Sequence, residues 1–425
     1  MNKMWNEKKL DEIYDFSSGL SKPADDFGYG FPFLSFKTIF NNYFLPETLD
    51  ELVNSTEEEK EKFSIKKGDV FLTRTSETLN ELAMSCVALK EYPNATFNGF
   101  TKRLRPKSNI IHPVYAAFYF RSPIFRKYVN SMATMTTRAS LNNNILSKLP
   151  IFFPSYENQK KIANILFQLT LKIKNNKKIN HNLYHILMDL FIKNYLNFNE
   201  NEFSNSIETI PKLWNIGHFN DIIKEVIAGD WGKSEIEGNY TKKTFCIRGA
   251  DIPDLKENFV STIPIRYILQ KNFNKKHLIE NSVVIEISGG SPSQSTGRTL
   301  FITNNLLNQY NHDLICTNFC KSILAEEEYS YFVYFYLNYL YDRNVMFAYE
   351  NGTTGIKNFD FKSFFNNFPI IIPVKEELVT FNKICELFFD KIYKNIDEMN
   401  KLSHIKNILL PKLMSGEIDV SNIKI

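Results

Sequence analysis

Leu149-Pro150-Ile151-Phe152-Phe153-Pro154 leads into Ser155-Tyr156-Glu157, and Phe368-Pro369-Ile370-Ile371-Ile372-Pro373 leads into Val374-Lys375-Glu376. The flanking prolines of the two stretches stand 219 residues apart, Pro150 from Pro369 and Pro154 from Pro373. Each stretch is an apolar run between two prolines. Proline has no N–H and biases the residue before it to extended geometry, so each run predicts a short strand with abrupt ends. A long apolar-periodic segment follows each, predicting one helix over Ser155–Tyr195 and another over Val374–Leu410.

The first segment carries Ile162, Leu166, Leu169, Ile173, Asn176, Asn180, Leu183, Leu187 and Leu190, spaced alternately by four and three. The second carries Phe381, Cys385, Phe388, Ile392, Asn395, Met399, Leu402, Lys406 and Leu409 at the same places. A seam with this period predicts a coiled coil. The shared spacing favours antiparallel pairing of the two helices within the chain over two unrelated amphipathic helices. Asn176 and Asn395 fall at equivalent seam positions, where a buried polar residue fixes register at some cost in stability.

The repetition extends upstream. Trp5-Asn6 with Leu10 and Ile13 is echoed by Trp214-Asn215 with Phe219 and Ile222. Phe33–Lys37 is echoed by Cys246–Ala250, and Ile65–Leu72 by Leu278–Ile285. Asn98-Gly99-Phe100-Thr101-Lys102 is echoed by Thr317-Asn318-Phe319-Cys320-Lys321. A unit this long is a tandem duplication and not a solenoid repeat. The fold class expected is α+β: two similar mixed α/β domains, each followed by a long helix, the helices pairing as an antiparallel coiled coil. The expected boundaries are 1–154 for the first domain, 155–196 for its helix, 197–212 for a polar linker, 213–373 for the second domain, and 374–425 for the second helix and tail. Val70–Thr73 and Val283–Ile287 read as strands. Tyr115–Asn130 and Tyr331–Arg343 carry aromatic stripes whose plain reading is core.

The chain has 425 residues, enough for two or three domains, with 43% hydrophobic and 23% charged residues, a balance that excludes a largely disordered chain. No run reaches the roughly 18 apolar residues of a membrane span. The residues from Met1 lack a signal-peptide core, and the five cysteines are scattered without a Cys-x-x-Cys pair. A cytoplasmic location with no membrane contact is expected. The net charge of +4 permits nucleic-acid binding without requiring it.

Basic residues cluster. Lys102, Arg103, Arg105 and Lys107 fall close together, Arg74-Thr75-Ser76 follows a strand, where a loop would present it, and Arg121, Arg126, Lys127 and Arg138 come after. The second half offers Lys233, Lys242, Lys243, Arg248, Lys271, Lys275, Lys276, Arg298 and Lys357, with the Gly289-Gly290-Ser291-Pro292-Ser293 stretch at a strand end. Guanidinium, ammonium and hydroxyl groups suit phosphates and base edges. For any one residue, solvated surface is an equally good reading; the argument rests on two similar halves. Twelve residues are the expected DNA contacts: Arg74, Thr75, Ser76, Lys102, Arg103, Arg105, Arg138, Lys233, Arg248, Ser291, Arg298 and Lys357. The expected pairing residues are Ile162, Leu166, Leu169, Ile173, Asn176, Leu183, Phe381, Phe388, Ile392, Asn395 and Leu402.

No catalytic constellation emerges. Gly232-Lys233-Ser234 lacks the earlier glycine of a phosphate loop, since Ile227 stands there. Asp254 and Lys256 form a fragment of a nuclease-like triplet without its acidic partner. The seven histidines show no metal spacing, although His181 and His185 lie one helical turn apart. No Asn-Pro-Pro-aromatic run of adenine methyltransferases is present.

These features together resemble the specificity subunits of type I restriction-modification systems, over nearly the whole chain. The Pro-apolar-Pro stretch entering Glu157-Asn158-Gln159-Lys160-Lys161-Ile162-Ala163 is similar to the opening of that family's spacer helix. Leu409–Ile418 resembles its C-terminal ending. Thr137–Asn142 and Gly352–Lys357 resemble the turn near the end of each recognition domain. Thr73–Glu77 and Gly289–Ser295 look like two recognition-domain subtypes. The second copy departs at Glu377-Leu378-Val379-Thr380-Phe381. The resemblance implies a non-catalytic subunit whose two domains each read half of a split double-stranded DNA target. It implies as partners two adenine-methyltransferase subunits and a motor-nuclease subunit. No cofactor is expected on this chain; S-adenosylmethionine, ATP and Mg2+ are expected on the partners. Service to a combined methyltransferase-nuclease, or a coiled-coil protein scaffold, are the alternative readings.

Overall fold

The structure is a computed structural model of the chain. It describes all residues except 1–4, 133, 136–138, 197–210, 212, 258–262, 292, 353–355, 424 and 425. The expected linker lies almost wholly outside the described residues. The chain divides into two compact units, one of Met1–Ile173 with Asn400–Ile425, the other of Lys174–Met399.

In the first unit, a four-stranded antiparallel sheet runs in the order Tyr14–Ser18, Thr101–Pro106, Val70–Thr73, Ser85–Val87. A second sheet orders Leu52–Val53, Phe27–Leu34 and Thr96–Phe97, and a third orders Thr134–Met135, Ala139–Ser140 and Thr75–Ser76. The second unit repeats this plan strand for strand. Its main sheet orders Ile223–Ala228, Cys320–Ala325, Val283–Glu286 and Thr299–Phe301. Ile265–Leu269, Tyr240–Ile247 and Leu314–Cys316 form the second sheet, and Ser288–Gly289, Lys357–Phe359 and Glu350–Asn351 the third. Even the odd backbone geometry is shared. Gly68 and Asn281 occupy matched positions before the central strand, and both have positive φ, 90° and 63°. Glycine and asparagine tolerate that region best.

The Pro-bounded runs are strands as expected. Pro150–Phe153 pairs antiparallel with Asn6–Lys9, and Pro369–Ile372 with Asn215–His218. Each closes the chain's return to the start of its own domain. The aromatic stripes are core: Tyr115, Phe118, Tyr119, Phe120 and Phe125 are fully buried in the first unit, and Phe332 and Phe335 in the second. Full burial of one such side chain stabilises by roughly 1.5–3 kcal/mol.

The long helices span Tyr156–Tyr195 and Lys375–Ser415. The second therefore extends past the expected end at Leu410 and runs through Pro411. Proline there removes one bond to the Asn407 carbonyl. Asn407 is exposed, so water can satisfy that carbonyl, while Leu413 and Met414 beyond it join the first unit's core. Ile162, Ala163 and Leu166 enter the same core.

Within the second unit the helices run antiparallel. Asn176 Nδ2 donates to Glu398 Oε2 at 2.8 Å, Asn180 Nδ2 to the Ile392 carbonyl at 3.3 Å, and Tyr195 Oη to the Glu377 carbonyl at 3.1 Å. Phe191 meets Phe381 with ring centroids 6.0 Å apart. Partner numbers fall on one helix as they rise on the other. Phe381 and Ile392 are buried, and Leu183 and Phe388 are half-buried. In the first unit Ile162 and Leu166 are buried, and Leu169, Ile173 and Leu402 half-buried. Lys406, at a seam position, places its ammonium 5.0 Å from the Tyr43 ring.

The Glu157–Ala163 motif has a local physical reason. Gln159 is fully buried; its amide Nε2 donates to the Ile110 and Pro154 carbonyls, and its Oε1 accepts from His112 N at 2.8 Å. It ties the helix start to the strand before it and to the loop entering Pro113–Tyr119. The matched position in the second copy is Leu378, also fully buried. There Trp214 and Tyr195 anchor the helix start instead, through Glu377.

Candidate nucleic-acid interface

In both units the central strand of the main sheet continues, after one residue, into the two-residue strand of the small third sheet. Arg74 is the hinge residue in the first unit and Ile287 in the second. Thr75–Ser76 is thus a strand, paired with Ala139–Ser140, and not the free loop that the sequence suggests. Arg74 donates its backbone N–H to the Phe100 carbonyl at 3.0 Å and accepts from Leu141 N at 2.8 Å. These bonds fix the backbone and leave the side chain half-buried. Its guanidinium has no hydrogen-bond or ion-pair partner among the described residues, and its charge helps to hold the Lys102 ammonium below the ordinary lysine range, after burial as the larger cause. Thr75 and Ser76 are half-buried beside it.

The neighbouring basic cluster does different work. Lys102 is buried, and its Nζ donates to Ser18 Oγ at 2.9 Å and Asn143 Oδ1 at 2.8 Å. Arg103 is buried too, its guanidinium on the Ser64 carbonyl at 2.6 Å and over the Phe97 ring. Burial lowers its affinity for the proton. Arg105 forks onto the fully buried Asp69 carboxylate, Nε to Oδ1 at 2.8 Å and Nη2 to Oδ2 at 2.6 Å, and also reaches the Ser64 carbonyl. Together these two arginines hold the turn from Ser64 to Asp69. Arg121 donates to the Ser85, Ile39, Phe40 and Asn42 carbonyls, so it stitches loops together.

The second unit shows the same economy. Arg298 forks onto Glu286 at 2.8 and 2.6 Å, and that hydrogen-bonded contact strengthens its hold on the proton. Arg248 forks onto Asp251, and Lys357 meets Glu350 at 2.8 Å while Glu350 also takes the Thr296 N–H. Lys233 makes an exposed ion pair with Glu237 at 3.1 Å. Ser291 bonds through its backbone to Gln294 and lies 3.4 Å, Oγ to Oγ, from Ser293. Arg138 lies outside the described residues. The structure therefore brings Arg74, Thr75 and Ser76 together with a cation to spare, and commits Lys102, Arg103, Arg105, Arg248, Arg298 and Lys357 to partners in their own unit. Sequence could flag the clusters but not which carboxylates face them, Asp69 standing 36 residues from Arg105 and Glu286 twelve from Arg298.

Sequence reasoning missed the exposure of Phe100 and Phe319, although it aligned the two segments that carry them. They are 62% and 51% exposed. Among the described residues no group of three His, Cys, Asp or Glu side chains could hold a metal ion, and no helix is long and apolar enough to cross a membrane.

Comparison with known proteins agrees with this architecture. Residues 2–185 match the type I restriction modification DNA specificity domain. Over 99% of its length the chain is 25% identical to the type I restriction enzyme MjaIX specificity subunit of Methanocaldococcus jannaschii, covering 95% of that protein. It is 21% identical to the type I restriction enzyme HindI specificity subunit of Haemophilus influenzae, over 97% of this chain and 99% of that one. The fold is similar to that of the type I restriction-modification S subunit from M. genitalium, with a TM-score of 0.56, 16% identity and 97% of each chain covered. Residues 2–185 thus match the DNA specificity domain of type I restriction-modification systems, and along nearly its whole length the chain is similar to type I specificity subunits.

Proposed function

We propose that this chain is the non-catalytic DNA-reading subunit of its restriction-modification complex. Each duplicated domain, 1–154 and 213–373, reads one half of a split double-stranded target. The helices of 155–196 and 374–425, with the linker 197–212 between the repeats, hold the domains and dock two adenine-methyltransferase subunits; a motor-nuclease subunit joins them. S-adenosylmethionine, ATP and Mg2+ belong to those partners.

The observation that carries this reading is the strand-for-strand duplication with unlike chemistry at one matched place. The hinge is Arg74 followed by Thr75–Ser76 in one unit, and Ile287 followed by Ser288–Gly289 in the other. One scaffold with two different tips suits two different half-sites. An outward apolar residue on each helix, Ile186 at 46% and Ile405 at 43% exposed, supports protein docking there. A non-catalytic role draws support from the cysteines: burial pushes Cys86, Cys246 and Cys320 up to about 12, so none of these three is a thiolate nucleophile at neutral pH.

The test is binding of the full chain to duplex DNA across a salt series. The expected result is a linear loss of log affinity with log salt, since neutralised phosphates release counterions. Salt-independent or absent binding would instead favour the protein-scaffold reading.

A further inference from the structure

Phe100 and Phe319 sit at the same place in the two domains, one residue before the strands Thr101–Pro106 and Cys320–Ala325. Both are held by the same hydrogen bonds. Phe100 N donates to Asn98 Oδ1 at 2.7 Å, and Phe319 N to Thr317 Oγ1 at 3.2 Å. Thr101 N reaches back to the Asn98 carbonyl at 3.1 Å, and Cys320 N to the Thr317 carbonyl at 2.9 Å. The Phe100 carbonyl accepts from Arg74 N, and the Phe319 carbonyl from Ile287 N at 2.8 Å and Ser288 N at 3.2 Å. Each phenylalanine is therefore stapled to the hinge at which the two domains differ.

The backbone beneath each ring is rigid, yet each ring stands in solvent. Neither makes an aromatic contact among the described residues, although rings elsewhere in this chain pack on one another. One exposed phenylalanine is ordinary. Two, in matched turns whose capping side chain has changed from asparagine to threonine, show the ring kept while its support varied. The polar caps satisfy the turn's N–H groups by themselves, so the hydrogen bonding of the turn does not depend on the ring. The Phe100 carbonyl holds Arg74, whose guanidinium has no partner among the described residues and which leads into Thr75 and Ser76; the Phe319 carbonyl holds Ser288, whose Oγ donates to Asn358 Oδ1 at 2.8 Å. An apolar ring in a setting of phosphate- and base-edge-binding groups matches the chemistry of DNA bases, which offer apolar faces and thymine methyls inside a charged backbone.

We propose that Phe100 and Phe319 are the apolar base contacts of the two domains, each ring meeting the bases of its own half-site. This rests on the DNA-reading assignment above. Such a contact adds affinity without neutralising a phosphate, so it leaves the salt dependence untouched.

The experiment uses the full chain and a duplex recovered on the wild-type protein from a random-sequence pool. Phe100→Ala and Phe319→Ala should each lose about tenfold or more in affinity for that duplex. Both should keep the wild-type melting temperature, the salt slope and the affinity for bulk non-specific DNA. Phe100→Trp and Phe319→Trp should keep most of the affinity. Re-selection on each alanine variant should relax base preference in one half of the target only, a different half for each. Alanine variants that bind the selected duplex as tightly as wild type overturn the proposal while leaving the DNA reading intact. So does loss of methyltransferase co-purification with DNA binding unchanged, which would make the rings a protein contact. A wild-type chain that selects no duplex at all overturns the DNA reading, and this proposal with it.

Discussion

Asn395 donates its side-chain amide to Asn180 Oδ1 at 2.8 Å across the helix pair, and both residues are buried. Asn176 completes the group through Glu398. A buried amide needs this partner more than it gains from it: leaving one unmet costs about 1–3 kcal/mol, whereas replacing both partners with apolar groups can be close to neutral. Asn395→Leu should therefore lower the melting temperature, and Asn180→Leu with Asn395→Leu should recover part of the loss. The coupling between the two changes, read from thermal or urea melts of the full chain, should be favourable to the pair. Additive losses would show that the bond specifies nothing.

Arg74 and Arg105 should separate cleanly on substitution. Arg74→Ala removes a cation with no hydrogen-bond or ion-pair partner among the described residues. It should leave stability unchanged, weaken DNA binding, and reduce the slope of log affinity against log salt by about one. Arg105→Ala strands the fully buried Asp69 carboxylate and should cost about 3–5 kcal/mol of stability. Melting curves beside binding isotherms check both. A stability loss in Arg74→Ala would mean that its guanidinium is structural.

Lys256 lies among Tyr184, Tyr334 and Asn338 in the second unit, and burial pushes its ammonium down to about 8, opposed in part by Asp342. Accessible area leaves it partly exposed, but its ammonium points inward at Asn338, so the lowered value follows from that placement. Below pH 8 the folded protein carries this charge at a cost, because the unfolded lysine is charged and solvated. As pH rises from about 8 toward 10.5 the folded lysine is neutral while the unfolded one still binds a proton, and the cost fades. Lys256→Met should thus be more stable than wild type at pH 7, and the difference should shrink by pH 10. Denaturant melts at both pH values decide it; a constant difference would place the ammonium in water.

Much of this architecture was legible because it is written twice. The matched prolines and seams located both strands and both helices, and the matched Trp5 and Trp214 located the start of each repeat. The helix runs on past Leu410 through Pro411 because buried Leu413 and Met414 outweigh the one lost bond, a balance that the seam spacing does not reveal. The candidate interface was less legible. Arg105 and Asp69, or Arg298 and Glu286, meet only after folding, so a run of cations in sequence did not reveal which charge stays unpaired. Phe100 was visible as a repeat element, but only the folded turn shows that its ring faces solvent.

The helices should act as the ruler between half-sites. A paired helix has no soft dihedral, so inserted residues become displacement at about 1.5 Å each. Four residues inserted after Ile173 add about 6 Å and slightly more than one turn, so the seam can nearly realign. The methylated motif should keep both half-site sequences and gain one or two base pairs at about 3.4 Å each. Two inserted residues rotate the seam by roughly 200° and should abolish assembly. Full activity at unchanged spacing in the four-residue variant would remove the helices from this role.

If each domain reads its own half of the target, exchange of one domain changes one half of the methylated motif and spares the other. The segment from Trp214 to Asn367 is replaced by the matching segment of a type I specificity subunit with a different target, and methylated adenines are sequenced genome-wide in cells carrying the chimaera. The expected outcome is a new motif in which one half is unchanged and the other has become a half recognised by the donor. A motif altered in both halves, or unaltered in either, would contradict it.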